Sequence, residues 1–197
     1  MGRVSTPTAS SPRRSRGRLV PLMLIVVVGV AAVDQLVKQW MLNNLEPGVP
    51  VPVLGDWFRL FLLFNPGAAF GMGENATWLF TTIQLVFVIG VLIAAPFMRD
   101  KGTAVGLALI GGGALGNLVD RLFREPGFWF GHVVDFISIG DFAVFNIADA
   151  SISVGVGVFV LAMVLDDKRQ SDAEKSAQKQ EAEGAGDGSP GRKDVER

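Results

Sequence analysis

The sequence contains no cysteine and a single histidine, His132. The first absence excludes disulfide frameworks, thiolate nucleophiles and cysteine-ligated metals. The second excludes a multi-histidine metal site. Charge is also scarce over most of the chain. Residues 1–18 hold five basic residues and no acid, and 166–197 hold seven basic and nine acidic residues; the 147 residues between them hold only six basic and ten acidic. The whole chain is 49% hydrophobic with a mean hydropathy of +0.38, and without its charged tails the middle is too apolar for a water-soluble globule. A formal net charge of −1, without a basic stripe interleaved with aromatics, gives no footprint for nucleic acid.

What is present is apolar length. A bilayer-spanning helix needs roughly 20 mostly apolar residues, and four runs reach that. They are about 19–40, broken late by Asp34 and Lys38; 76–98, with no formal charge; 103–122, uncharged as far as Val119; and 142–165, whose only charge is Asp149. The first run could also be read as a cleaved signal peptide, with small residues at Ala31 and Ala32. Three further spans follow it, however, and a disposable leader has no use for Asp34. The expected fold is therefore an all-α integral membrane protein with a four-helix domain at 19–165. Two tails flank it, a basic N-tail (1–18) and a charged C-tail (166–197), both expected to be disordered.

Orientation follows loop basicity. Arg13, Arg14, Arg16 and Arg18 precede the first run, Arg99 and Lys101 lie between the second and third, and Lys168 and Arg169 follow the fourth. Those sites share a side, which the positive-inside rule makes cytoplasmic. The connections at about 41–75 and 123–141 then face outward. Val49–Leu54 and Trp57–Phe64 are rich in strand formers and interfacial aromatics, as in a small sheet lying at the outer membrane surface. The stretch 125–139, with Trp129 and several Phe, reads as a short interfacial segment.

On this topology the polar residues meet at one level. Asp34 and Lys38 end the first span, and Asn117, Asp120 and Arg121 end the third. Asn146 and Asp149 begin the fourth, and the outer connections add Asn65 and Asp135. Asn117, Asp120 and Arg121 share one helix face, and Asn146 and Asp149 are three apart on another, with Ser153 a turn further on. Gly112 and Gly116 offer a close-approach face that Gly155 and Gly157 could receive. Intramembrane charges are expensive and mark function by default, although an Asp–Arg pair can also serve purely as interhelical glue. A Ser–Lys pair using Lys38 with Ser138 or Ser151 is conceivable, but no motif supports it. Two aspartates sharing one proton are the economical choice, with one carboxylate activating water and the other, protonated, donating to a scissile carbonyl. Such a dyad needs no cofactor and no metal. Asp120, Asp135 and Asp149 all remain candidates for it.

Five blocks then resemble a known family. Asp34-Gln35 with Lys38, Asn65-Pro66-Gly67-Ala68-Ala69-Phe70-Gly71, Gly112 to Arg121, His132-Val133-Val134-Asp135-Phe136 and Phe145-Asn146-Ile147-Ala148-Asp149 are similar, in order, to the motifs of signal peptidase II. The resemblance covers about 34–155. It implies an aspartic endopeptidase of the bacterial inner membrane with four transmembrane helices and a small extracytoplasmic β-cradle, cutting prolipoproteins before a diacylglyceryl-modified cysteine near the outer leaflet, in contact with membrane lipids; a monomer is expected. It also implies Asp135 and Asp149 as the catalytic pair. Asp34, Lys38, Asn65, Gly67, Asn117, Asp120, Arg121, Asn146 and Ala148 would then shape the site or grip substrate. Ala150 stands where the family pattern has a Ser, and Asp135 lies only 14 positions before Asp149. A transporter or an assembly factor would also use membrane carboxylates, but a transporter spreads them through the bilayer depth. A topology reporter fused after Gly73 should read external and one after Lys101 cytoplasmic; the reverse pattern would contradict the shared level.

Overall fold

The computed structural model describes residues 17–67 and 76–186. Nearly all of the basic N-tail, Ala68–Gly71 of the second block, and the chain beyond residue 186 lie outside the described residues. Four long helices are present: α1 (Val20–Asn44), α2 (Thr77–Ala94), α3 (Lys101–Phe123) and α4 (Ile147–Gly186). All four are long and apolar enough to cross a membrane. Three strands, β1 (Val51–Leu54), β2 (Phe58–Asn65) and β3 (Val133–Ile139), form one antiparallel sheet in the order β1-β2-β3.

Local chemistry sets several of the helix ends. Pro21 occupies the first turn of α1, where a missing N–H costs nothing. Pro96 sits in the short 3-10 turn that ends α2. Asp100 caps α3, its carboxylate accepting from the Thr103 N–H at 2.7 Å and the Thr103 hydroxyl at 3.1 Å. Those bonds hold the Asp100 carboxyl below its ordinary pKa.

α3 is the central post. More than half of its apolar window (56%) is buried, against 22%, 22% and 11% for the other three. Its glycines explain how neighbours come so close. A Cβ at Gly113 would stand 2.3 Å from the Ala148 oxygen of α4, and one at Gly116 would stand 2.7 Å from Asp34 Oδ2 of α1. The expected partnering is corrected in detail. Gly112 faces Val27 and Val30 of α1 rather than α4, Gly155 does meet α3 at Gly106 and Ile110, and a Cβ at Gly157 would meet no described neighbour within 4 Å.

Three expectations about the outer connections and α4 are also corrected. Residues 133–139 are a strand rather than an interfacial segment, pairing with β2 in a register that sets Asp135 opposite Leu63 and Val133 opposite Asn65. Both faces of β3 are largely buried, so its sequence lacks the alternation that usually marks a strand. The fourth helix starts at Ile147 rather than 142, because Phe145 is drawn into backbone hydrogen bonds with Phe136 and Ile137. It also runs on to Gly186 instead of giving way to disorder at 166. That extension is rich in the helix formers Ala, Glu, Gln and Lys, and Gln170 donates to Asp166 one turn back at 2.9 Å.

The glycine contacts predict opposite signs for the same substitution. Gly113→Ala should cost about 1–3 kcal/mol through overpacking. Gly157→Ala should be neutral or stabilise by up to ~1 kcal/mol through helix propensity. Thermal melts in detergent would separate the two.

Candidate active site

The site is assembled around one ammonium group. Lys38, one turn after Asp34 on α1, is fully buried. Its Nζ lies 2.7 Å from Asp34 Oδ2 and 2.7 Å from Asp120 Oδ2 of α3, and donates to Asn117 Oδ1 at 2.9 Å. An ammonium has three N–H donors, and all three are used. One cation between two carboxylates leaves an excess negative charge. Arg124, one turn after Asp120, offsets it by pairing with Asp120 Oδ1. Gln35 also donates to Asp120 Oδ1 at 2.9 Å and to the Gly116 carbonyl at 2.9 Å, and accepts from Arg124 at 3.2 Å. Every buried side-chain nitrogen and oxygen of this cluster thus has a partner, the condition under which buried ions are tolerated.

Each framework carboxylate also reaches across to a second element. Asp34 Oδ1 accepts the Ala148 N–H at 2.9 Å, at the start of α4. Asp120 Oδ2 accepts the Val134 N–H at 3.2 Å, on β3. Ala148 and Val134 are the residues immediately before Asp149 and Asp135. The ion cluster therefore fixes the backbone beside both of those carboxylates.

Asn146 and Asn117 then join the two. Asn146 is the residue before α4 and its side chain accepts from the Asp149 N–H at 3.0 Å, while Asp149 Oδ2 accepts from the Asn146 N–H at 3.2 Å. This is a reciprocal capping box. It corrects the reading of Asn146 as a residue within the fourth helix, since a cap combines a strand-like approach with a helical start. Asn146 Nδ2 also donates to Asp135 Oδ1 at 2.7 Å and to Asn117 Oδ1 at 3.1 Å, and Asn117 Nδ2 donates to Asp149 Oδ1 at 2.7 Å. On the far side, Asn65 Nδ2 donates to Asp135 Oδ2 at 2.9 Å, with its own oxygen held by the Gly67 N–H at 2.9 Å.

The two carboxylates differ in exposure. Asp135 is 1% exposed, whereas Asp149 is only partly buried. Burial pushes the Asp135 carboxyl up to about 7, and the charge of nearby Asp149 adds to the rise; the amides of Asn65 and Asn146 pull the other way. Arg121, also buried, donates to the Pro66 and Gly67 carbonyls at 3.3 and 2.6 Å and lies over the Phe80 ring at 5.7 Å. It anchors the turn that carries Asn65.

All eleven residues singled out in the sequence meet in this network. Gln35, quoted in the first block without a role of its own, and Arg124, which was not singled out, complete it; the spacing of Arg124 one turn after Asp120 was the available signal. The Ser–Lys alternative falls, because Ser138 pairs with Arg59 at 3.4 Å and Ser151 with the Leu109 carbonyl at 3.0 Å.

Residues 26–165 match the family profile described as signal peptidase (SPase) II. The chain belongs to the signal peptidase II family. It is 45% identical over 160 residues to the lipoprotein signal peptidase of Rhodococcus jostii, covering 81% of each chain. It is 40% identical over 177 residues to that of Leifsonia xyli, covering 86% of this chain and 82% of the relative. Two bacterial membrane enzymes solved by the in meso method share the fold. One has a TM-score of 0.69 at 26% identity, covering 80% of this chain and 96% of the other; the second has a TM-score of 0.63 at 28% identity, covering 77% and 97%. The signal peptidase II chain is thus a multi-pass membrane protease.

Removing the ammonium should leave two buried carboxylates facing each other. Lys38→Met should destabilise the protein by about 3–5 kcal/mol. Arg124→Gln, at a side chain 22% exposed, should cost under ~1 kcal/mol. Yield and melting temperature of the purified variants would check the difference.

Proposed function

We infer that this signal peptidase II removes the signal peptide of prolipoproteins, cutting before the diacylglyceryl-modified cysteine with Asp135 and Asp149 as its catalytic pair. Its relatives carry the name lipoprotein signal peptidase over most of their length. The observation that carries the mechanism is the bridge from Asp135 through Asn146 and Asn117 to Asp149, with Asp135 holding its proton to about pH 7.

The roles follow from exposure. Asp149, partly open and in the first turn of α4, where a helix favours negative charge, is the general base that takes a proton from water. Asp135, buried and protonated, donates a hydrogen bond to the scissile carbonyl. The hydroxide equivalent adds to the carbonyl carbon, and the negative charge gathering on its oxygen is met by Asp135. The proton held by Asp149 then passes to the departing amine as the C–N bond breaks. Water is consumed, and one new carboxyl and one new amine result. Asp34 and Asp120 take no part in proton transfer; they hold the backbone of the pair.

Basic residues at the opposite ends of the helices support placing the site at the outer leaflet of the cytoplasmic membrane, with both termini inside. A lipid-bearing cysteine reaches that level by lateral diffusion. Acyl-chain burial, at about 0.8 kcal/mol per CH₂, supplies much of the recognition.

Asp135→Asn and Asp149→Asn should each abolish cleavage of a diacylated prolipoprotein while the protein stays folded, and Asp120→Asn should lose folded protein first. Normal turnover by either dyad variant would overturn the assignment. Turnover should fall as pH rises through about 7, where Asp135 loses its proton. Stability carries the same sign. The unfolded chain releases this proton near 3.8 and the folded chain near 7, so the contribution is complete below pH 4 and is lost as pH rises through 7. Asp135→Asn should therefore melt above the parent at pH 8, with that advantage gone near pH 4.

A further inference from the structure

α2 and α4 both pack on α3, but among the described residues they form no packed interface with each other. At the end of α3 remote from Asp135 and Asp149, where it lies beside α4, is a cavity of about 470 Å³. Its floor is apolar, formed by Met98, Leu107, Phe159 and Met163, and its rim carries Asp166 and Asp167. Both aspartates are exposed, and no Lys or Arg is in ion-pair distance of either among the described residues. Asp100, at the same end, is already occupied in capping α3. Arg18, Arg99, Lys101, Lys168 and Arg169 make this end of the bundle basic, and Arg169 acts on Asp100 rather than lining the cavity.

We propose that this cavity receives the positively charged n-region of the substrate's signal peptide, with Asp166 and Asp167 as its counter-charges. The proposal rests on the prolipoprotein reading above and deepens it, because it names the part of the substrate recognised far from the scissile bond. Signal peptides begin with Lys or Arg and continue into an apolar stretch of about 7–15 residues. About 17 helical positions separate Asp149 from Asp166, ~26 Å along α4 at 1.5 Å per residue. An apolar stretch of roughly ten helical residues, ~15 Å, followed by about three extended ones, ~10 Å, covers that length. A peptide with its cleavage site at the dyad therefore brings its basic end to the acidic rim. Elsewhere on this face the same basic end would be repelled.

The test uses full-length protein in phosphatidylcholine nanodiscs, free of anionic lipid. The probes are fluorescent synthetic signal peptides that stop at the cleavage position and so cannot be cut. One carries three lysines in its n-region and another carries three glutamines. The parent should bind the lysine peptide about five-fold more tightly, the range expected of two partly exposed ion pairs, and added salt should erase the difference. The double variant Asp166→Asn/Asp167→Asn should bind both peptides alike, at the parent's affinity for the glutamine peptide. Asp166→Lys/Asp167→Lys should prefer a glutamate n-region. Equal binding of both peptides by the parent, or a preference that survives in the Asn variant, would overturn the proposal. Cleavage of diacylated prolipoprotein by the same parent preparation is read separately. Its absence would overturn the peptidase reading, while the binding difference would still decide the role of the cavity.

Discussion

The structure depends on a single ammonium sealed between two carboxylates. Lys38 joins Asp34 of its own helix to Asp120 of α3, and each carboxylate then reaches a backbone N–H on a different element. Without the cation, Asp34 and Asp120 would repel one another at the place where α1, α3, α4 and β3 converge. With it, they act as rigid brackets, one for the start of α4 and one for the start of β3. The cost of burying ions is met by full pairing of their donors and acceptors. The cluster is best understood as a positioning device, with chemistry assigned to the neighbours it holds.

Positioning matters because the two proposed catalytic carboxyls are alike in type and must act differently. Their supports come from different secondary structure. Asp135 sits on a strand that is buried on both faces, and Asp149 sits in a capping box at a helix start, partly open. The side chains of Asn117 and Asn146 span the gap without adding charge, so the proton count of the pair is left to the carboxyls themselves. Close glycine contacts let α3 approach α1 and α4 enough for these short side chains to meet.

Much of this was legible in the sequence, for physical reasons that can be named. An apolar run of bilayer length has few alternatives, so all four spans were visible. Charges in such runs are costly, so Asp34, Lys38, Asp120 and Asp149 marked themselves. The strand β3 was hidden because burial on both faces removes alternation, and its partner β2 lies about 70 residues earlier. The start of α4 was misplaced because Phe142–Phe145 are as apolar as the helix that follows. Gly157 looked like a packing glycine, yet spacing alone does not say which neighbour a helix face meets. The helical continuation past 165 was missed because charge-rich composition suits a solvated helix as well as a disordered tail.

The central claim is that Asp135 and Asp149, held by this framework, contend for one proton. Site-resolved ¹³C carboxyl titration of aspartate-labelled protein, with Asp135→Asn to assign the signal, tests it most directly. The account predicts that the Asp135 signal titrates near pH 7 in the parent and at a lower pH once Asp149→Asn removes the neighbouring charge. An Asp135 signal that titrates near pH 4 in both proteins would contradict it.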